Sequence, residues 1–414
     1  MKKEIISLLV TFTVAAALAA NETPATKLVE NLTLERAWEM ADSLQPEIAE
    51  AKAMVEAAEG RAKQAGLFPN PEVIAGANQL PLRGGAANEK EYVAGMGQTL
   101  PLGGRLGKAR QAELLDREVR ARGLEVKRRN IRKRVHSAFA TALYQEKAWQ
   151  AQKEILQNAE KAVGATTARL QAGDAIREDV ARVEMEAART KVEMQRAESL
   201  RQQSLVALAS AIGDATLSVK TLAGSLDATF EIPTLENLVG NLAAQPELAM
   251  SDADIRARAA RVDLAKAERI PDVRVELLYH RLEASRENTL DVGFSIPLPI
   301  FDRNQGRLRE ARAEVAAAEA RSRMTQNELA ARLRESYLQL TSALASSRML
   351  KTDVLTKADT VLKTAEARYA AGDASLTEIL PVRRDWAAAQ LTYLESLRDV
   401  MQAWAELSLY VRRQ

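Results

Sequence analysis

The chain contains two histidines, His136 and His280, far apart in sequence, and no cysteine. Imidazole and thiolate supply most ligands for borderline metals and many activated nucleophiles. A His-rich metal site, a zinc finger or a cysteine nucleophile therefore cannot be assembled within one chain. Gly103, Gly104, Gly107 and Lys108 look like a phosphate loop, but the spacing is wrong and no Ser or Thr follows the lysine. The run reads instead as a strand-to-helix connection. Ten scattered methionines define no thioether track. No nucleophile-base pair or carboxylate cluster stands out, which argues against an enzyme and against a bound cofactor. What does recur is a glycine-centred charged pattern: Arg169, Gly173, Asp174 and Asp179, matched by Arg368, Gly372, Asp373 and Glu378. Arginine and carboxylate at these spacings can form ion pairs or favour helix ends.

Those residues must be carried by long helices. Hydrophobic residues make up 47% of the chain but aromatics only 4%, while Ala, Leu, Glu, Arg and Gln abound, a composition of extended helix rather than bulky core. No proline occurs between Pro101 and Pro233 or between Pro299 and Pro381. Helices are predicted over 105–172 and 306–371, each on the order of 100 Å long. No compact globule holds such helices, so they must lie side by side, with Ala-rich stretches such as 313–320 letting neighbours approach closely. Gly173 and Gly372 are natural left-handed stops. Beyond them helix restarts, with Asp174 expected to cap one helix and Ser375 with Glu378 forming a capping-box pattern for the other. Each long helix thus turns at a tight tip into an antiparallel partner. His136 lies mid-helix and reads as packed or solvated.

The chain is also duplicated at an offset near 200. Gln45-Pro46-Glu47-Ile48 recurs as Gln245-Pro246-Glu247-Leu248, Pro71-Glu72-Val73 as Pro271-Asp272-Val273, and the Arg169 tip as the Arg368 tip. Two tandem copies, 20–230 and 231–414, follow an N-terminal segment with the form of a secretory signal peptide. Lys2 and Lys3 precede an apolar stretch over 5–18, and Ala17-Leu18-Ala19 satisfies the small-x-small rule for cleavage, giving a signal peptide of 1–19. No cysteine is available for lipid attachment. Formal charge is nearly balanced, 58 Lys and Arg against 56 Asp and Glu, so no basic stripe suggests nucleic acid.

Between Pro271 and Pro297 the period changes to two. Val273, Val275, Leu277 and Tyr279 alternate with Arg274, Glu276 and His280, and Leu290, Val292, Phe294 and Ile296 alternate with polar residues on the return. Strands are predicted over 272–281 and 289–297, and weaker, glycine-rich counterparts over 72–80 and 92–100 with Gly84 and Gly85 in the turn. Nine to eleven tilted residues is the length of an outer-membrane barrel strand. Four strands cannot close a membrane barrel, and open edges in lipid are costly, so several chains would have to contribute.

The duplicated hairpin unit, the two tip patterns and the run from Ile296 through Phe301, Asp302 and Asn304 to Gly306 resemble the TolC family of outer-membrane efflux proteins. The run from Pro297 to Gly306, with its counterpart from Leu100 to Arg105, is most similar to the branch serving cobalt/zinc/cadmium resistance. The resemblance implies a mainly α fold with a small β part: antiparallel helical hairpins forming an α-barrel, plus four membrane β-strands per chain closing a 12-stranded barrel as a homotrimer. It implies a passive exit duct in the outer membrane with a periplasmic extension. The partners would be a periplasmic adaptor (membrane fusion) protein, an inner-membrane pump of the RND type and outer-membrane lipid, with no cofactor. By the tip motif, Asp179 and Glu378 would lie near the closed periplasmic end. There three copies of Glu378 would form a cation-attracting ring, unless these acids serve only the helix dipole. Arg169, Gly173, Asp174, Arg368, Gly372 and Asp373 would face the adaptor. Pro381 stands where the family's best-known member carries a second aperture acid. His280 would face the lumen, where a transient metal contact is open to it. A periplasmic adaptor should instead show one hairpin between β-rich halves, and a poreless coiled-coil scaffold should be water-soluble.

Overall fold

The computed structural model describes residues 28–80, 90–227 and 230–411. The signal peptide expected at 1–19 and the turn at Gly84 and Gly85 lie outside them. A short strand β1 (Leu28–Val29) leads to α1 (Leu34–Leu44) and α2 (Pro46–Ala65), and β2 (Glu72–Asn78) and β3 (Glu91–Leu100) follow. Then come the hairpin of α3 (Arg105–Ala172) and α4 (Arg177–Ile212), strand β4 (Ser218–Val219) and the short α5 (Leu235–Gly240). The second copy runs through α6 (Pro246–Ala267), β5 (Val273–Leu282), β6 (Glu287–Ser295), α7 (Gln305–Met349), α8 (Thr356–Ala371) and α9 (Leu376–Leu407).

Local chemistry explains where these elements begin. Pro46 and Pro246 open α2 and α6, the position where a missing N–H costs nothing. The Thr33 hydroxyl accepts the Arg36 N–H at 3.2 Å to cap α1. Helix α3 spans 68 residues over the predicted range, about 100 Å at 1.5 Å per residue. Its second-copy counterpart does not run unbroken. A π-helical segment at Leu350–Leu355 separates α7 from α8, and the Lys351 carbonyl there accepts both the N–H and, at 2.7 Å, the hydroxyl of Thr356.

Apolar packing concentrates at mid-length. Leu32, Ile131, Val135, Phe139, Leu143, Leu208 and Ile212 form one cluster with Leu397 and Met401 of α9. Leu238, Leu333, Leu340, Leu407 and Tyr410 form a second, beside which Phe230 stacks on Trp404 at 4.7 Å. Each such buried leucine or isoleucine contributes roughly 1.5–3 kcal/mol relative to exposure. His136 is buried here, edge-on to Trp38. The buried residues of α6 are alanines, among them Ala253, Ala257 and Ala260, and Ala311 and Ala318 are buried in the first half of α7, consistent with close helix approach there. Strands β1 and β4 pair in parallel beside the first cluster, a contact that two-residue strands do not announce in sequence.

Among the described residues the other strands form one antiparallel sheet in the order β2-β3-β5-β6. The predicted hairpins β2–β3 and β5–β6 both form, with shifted bounds, and β3 pairs with β5 over ten residues to join the two copies. Leu80 lies beyond β2, which ends at Asn78. Strand β3 leads through the left-handed Gly103 and Gly104 directly into α3, so the sheet and the first tip lie at opposite ends of one long helix.

Candidate functional site

The two tips share one backbone solution. Gly173 (φ 86°) and Gly372 (φ 81°) are left-handed, and the Asp174 and Asp373 N–H groups reach back to the Arg169 and Arg368 carbonyls at 2.8 and 2.9 Å. This is the six-to-one bond of a glycine-terminated helix. Each arginine side chain then folds onto the carbonyl of the residue after its glycine, Arg169 to Asp174 at 3.4 Å and Arg368 to Asp373 at 3.2 Å. Two expected caps differ. Ile176, not Asp174, precedes α4 and no side chain caps it, because the chain takes two residues beyond the six-to-one bond before helix restarts. Ser375 does precede α9, but its hydroxyl donates to the Glu378 carboxylate at 3.0 Å rather than accepting a backbone N–H.

Asp179 and Glu378 occupy the third position of their helices, where the helix dipole favours a carboxylate. Glu378 also lies 3.7 Å from Arg368, with both side chains more than half exposed. Arg169 instead stacks over the ring of Tyr369 in the other hairpin, 5.3 Å from its centroid. Deeper in, Val183, Leu376 and Ile379 form a small apolar cluster bridging α4 and α9. Glu186 of α4 receives two bonds from Arg384 of α9, and Arg383 reaches Glu366 at 3.1 Å. These pairs edge a cleft of about 380 Å³ between the hairpins that also includes Trp386. Tyr369, Glu186 and Arg384 were not singled out from sequence. Only Tyr369 carried a signal, as an aromatic at a tip otherwise built of Ala and Gly.

At the opposite end the sheet has two chemically distinct faces. Register places Val73, Met96, Leu277, Tyr279, Leu290, Val292 and Phe294 on one face, and Val73 (81%) and Phe294 (79%) are almost fully exposed. The other face carries Glu72, Glu91, Glu276, Glu287 and Asp291 with Arg274 and His280. Arg274 donates to Glu72 at 2.7 Å and Glu276 at 2.5 Å. The glycines of β3 make this possible. A Cβ at Gly95 would sit 2.2 Å from the Leu277 carbonyl and 2.7 Å from the Leu278 side chain, and one at Gly97 would sit 3.1 Å from the Arg274 guanidinium. Both outer strands, β2 and β6, have a free edge among the described residues. Among those residues no helix is long and apolar enough to cross a membrane.

The family model for outer membrane efflux proteins matches residues 38–214 and again 239–411. The chain belongs to the outer membrane efflux protein family. The double match agrees with the duplication, and the family is one of channels rather than enzymes. The cobalt-zinc-cadmium resistance protein CzcC of Cupriavidus metallidurans is 28% identical over 372 residues, 90% of this chain and 88% of CzcC. Solved structures share the fold of this outer membrane efflux protein. CusC superposes with a TM-score of 0.77 at 15% identity, covering 91% of each chain. The open-state MtrE outer membrane channel of Neisseria gonorrhoeae superposes with 0.76 at 18% identity, covering 91% of this chain and 88% of MtrE.

Proposed function

We propose that three copies of this chain close a twelve-stranded barrel in the outer membrane, continuous with a periplasmic tube of helical hairpins. The assembly would be the exit duct of a tripartite efflux system. The observation that carries this reading is the four-stranded sheet with one apolar face, one charged face and two free edges, set at the end of helices about 100 Å long. A free edge in lipid leaves backbone groups unsatisfied at several kcal/mol each, and pairing β6 of one copy with β2 of the next removes it. Their directions are antiparallel, as barrel closure needs. The apolar face then meets lipid and the charged face lines water.

On this reading residues 1–19 are a cleaved signal, and 20–230 and 231–414 are the two repeats. The tips around Arg169, Gly173, Asp174, Arg368, Gly372 and Asp373 face a periplasmic adaptor, and Asp179 and Glu378 line the aperture. An RND-type pump supplies the energy, since the duct itself is passive. Similarity to CzcC supports divalent heavy-metal cations as cargo. Purified protein in detergent should have the mass of a trimer and insert discrete conducting pores into planar bilayers, and a monodisperse monomer or dimer without conductance would refute the duct. For cargo, deletion of the gene should sensitise cells to cobalt, zinc or cadmium, and unchanged tolerance to all three would redirect the substrate to organic compounds.

A further inference from the structure

One side chain from each strand of the sheet meets on its charged face. Asn78 of β2 donates to the Glu91 carboxylate of β3 at 3.2 Å, and the other oxygen of Glu91 lies 2.5 Å from Nδ1 of His280 on β5. Nε2 of His280 lies 3.3 Å from the Asp291 carboxylate of β6. A carboxylate only accepts, so the contact with Glu91 puts a hydrogen on Nδ1, and a cation at Nε2 would take the place of any hydrogen there. Nε2 is buried and has no hydrogen-bond partner among the described residues, despite the nearby Asp291 oxygen. That separation fits a shared ion. Two ligand atoms about 2.0–2.1 Å from a zinc ion at a tetrahedral angle stand roughly 3.3 Å apart. Glu91 is then the outer carboxylate that orients a metal-binding histidine.

We propose that His280 Nε2 and the Asp291 carboxylate form a two-ligand binding site for divalent first-row transition cations, one per chain, with water completing the coordination. Imidazole with one carboxylate suits Zn2+, Co2+ or Ni2+ and discriminates against Mg2+ and Ca2+, which require more oxygen ligands. Among the described residues no three His, Asp or Glu side chains converge to enclose an ion, so the site has few protein ligands and is weak. Weak, repeated sites suit conduction, because an ion must enter and also leave. The inference rests on the duct reading only for placing the site in the lumen, where three copies would ring the pathway.

Zinc partition between tag-free protein in detergent and a chromogenic chelator, at pH 7.5, tests the site directly. His280→Gln should lower zinc affinity at least tenfold. Asp291→Asn, an exposed change on an edge strand that leaves the fold intact, should lower it about tenfold, and Glu91→Gln by about 10- to 100-fold. Excess Mg2+ should not compete. Zinc affinity within twofold of wild type in Asp291→Asn or His280→Gln, or equal competition by Mg2+, would overturn the proposal. In bilayers, added Zn2+ should cause brief current blocks that His280→Gln removes. A conducting pore indifferent to zinc eliminates the site and leaves the duct, whereas chelator-detected zinc at His280 in a protein without conductance keeps the site and eliminates the duct.

Discussion

Arg169 and Arg368 hold equivalent positions at the two tips, and each folds onto the carbonyl after its glycine, yet their charges end on different partners. Arg368 pairs with Glu378 of its own hairpin, while Arg169 crosses to the ring of Tyr369. The first copy has Leu170 at the position of Tyr369, so the stacking contact cannot be returned. A similar divergence separates α4 from α9. Arg201, stacked on Trp149, bonds Glu198 at 2.9 Å and Glu146 at 3.2 Å, whereas at an offset of 199 the second copy has the buried Leu397 and Val400. Backbone features survive duplication because the local chain dictates them, and side-chain endings diverge because each hairpin meets a different neighbour.

The largest contrast expected from substitution lies in the sheet. Gly95→Val forces a Cβ into the Leu277 carbonyl, while Gly76→Val enters open space. Overpacking costs about 1–3 kcal/mol or more, so heat-resistant trimer on gels should fall roughly tenfold or beyond for Gly95→Val and stay near wild type for Gly76→Val. Equal loss in both would mean that glycine flexibility, not the β3–β5 contact, is what the sheet requires.

At the tips, Gly173→Ala and Gly372→Ala should each destabilise by about 1–2 kcal/mol in urea unfolding, since both glycines are left-handed. Markedly unequal costs would break the equivalence of the two turns.

The charged network of α4 should appear in acid. The Arg201 guanidinium, hydrogen-bonded to Glu198, holds that carboxyl below its ordinary value of 4.5. A lowered folded-state value means the stabilisation is fully present above the ordinary value and is lost as pH falls through the lowered one. Glu198→Gln should therefore narrow its stability deficit against wild type below about pH 4.5, a deficit of about 1 kcal/mol at pH 7. A deficit that is the same at pH 3 and pH 7 would remove the ion pair as the cause.

Smallest in stability is the exposed tip pair. Glu378→Ala should change unfolding by roughly 0–1 kcal/mol. If Glu378 lines the aperture, the same change, like Asp179→Ala, should raise single-channel conductance. Unaltered conductance would leave both acids as dipole partners of their helices.

Much of this protein is written in local pattern. Helix α3 follows from a proline-free run ended by Gly173, the strands from period-two alternation, and the two-copy plan from motifs repeated at an offset near 200. Propensity, period and capping act over a few residues, so one sequence suffices to read them. The pairing of β3 with β5, the reason β3 needs Gly95 and Gly97, the reach of Arg169 to Tyr369 and the line from Asn78 through Glu91 and His280 to Asp291 each join residues as much as about 210 apart. Those contacts depend on register and on which element lies alongside, and only the folded chain sets them. His280 illustrates the division: its place on the charged face follows from alternation alone, but the carboxylate that orients it and the one that faces its free nitrogen came from two other strands.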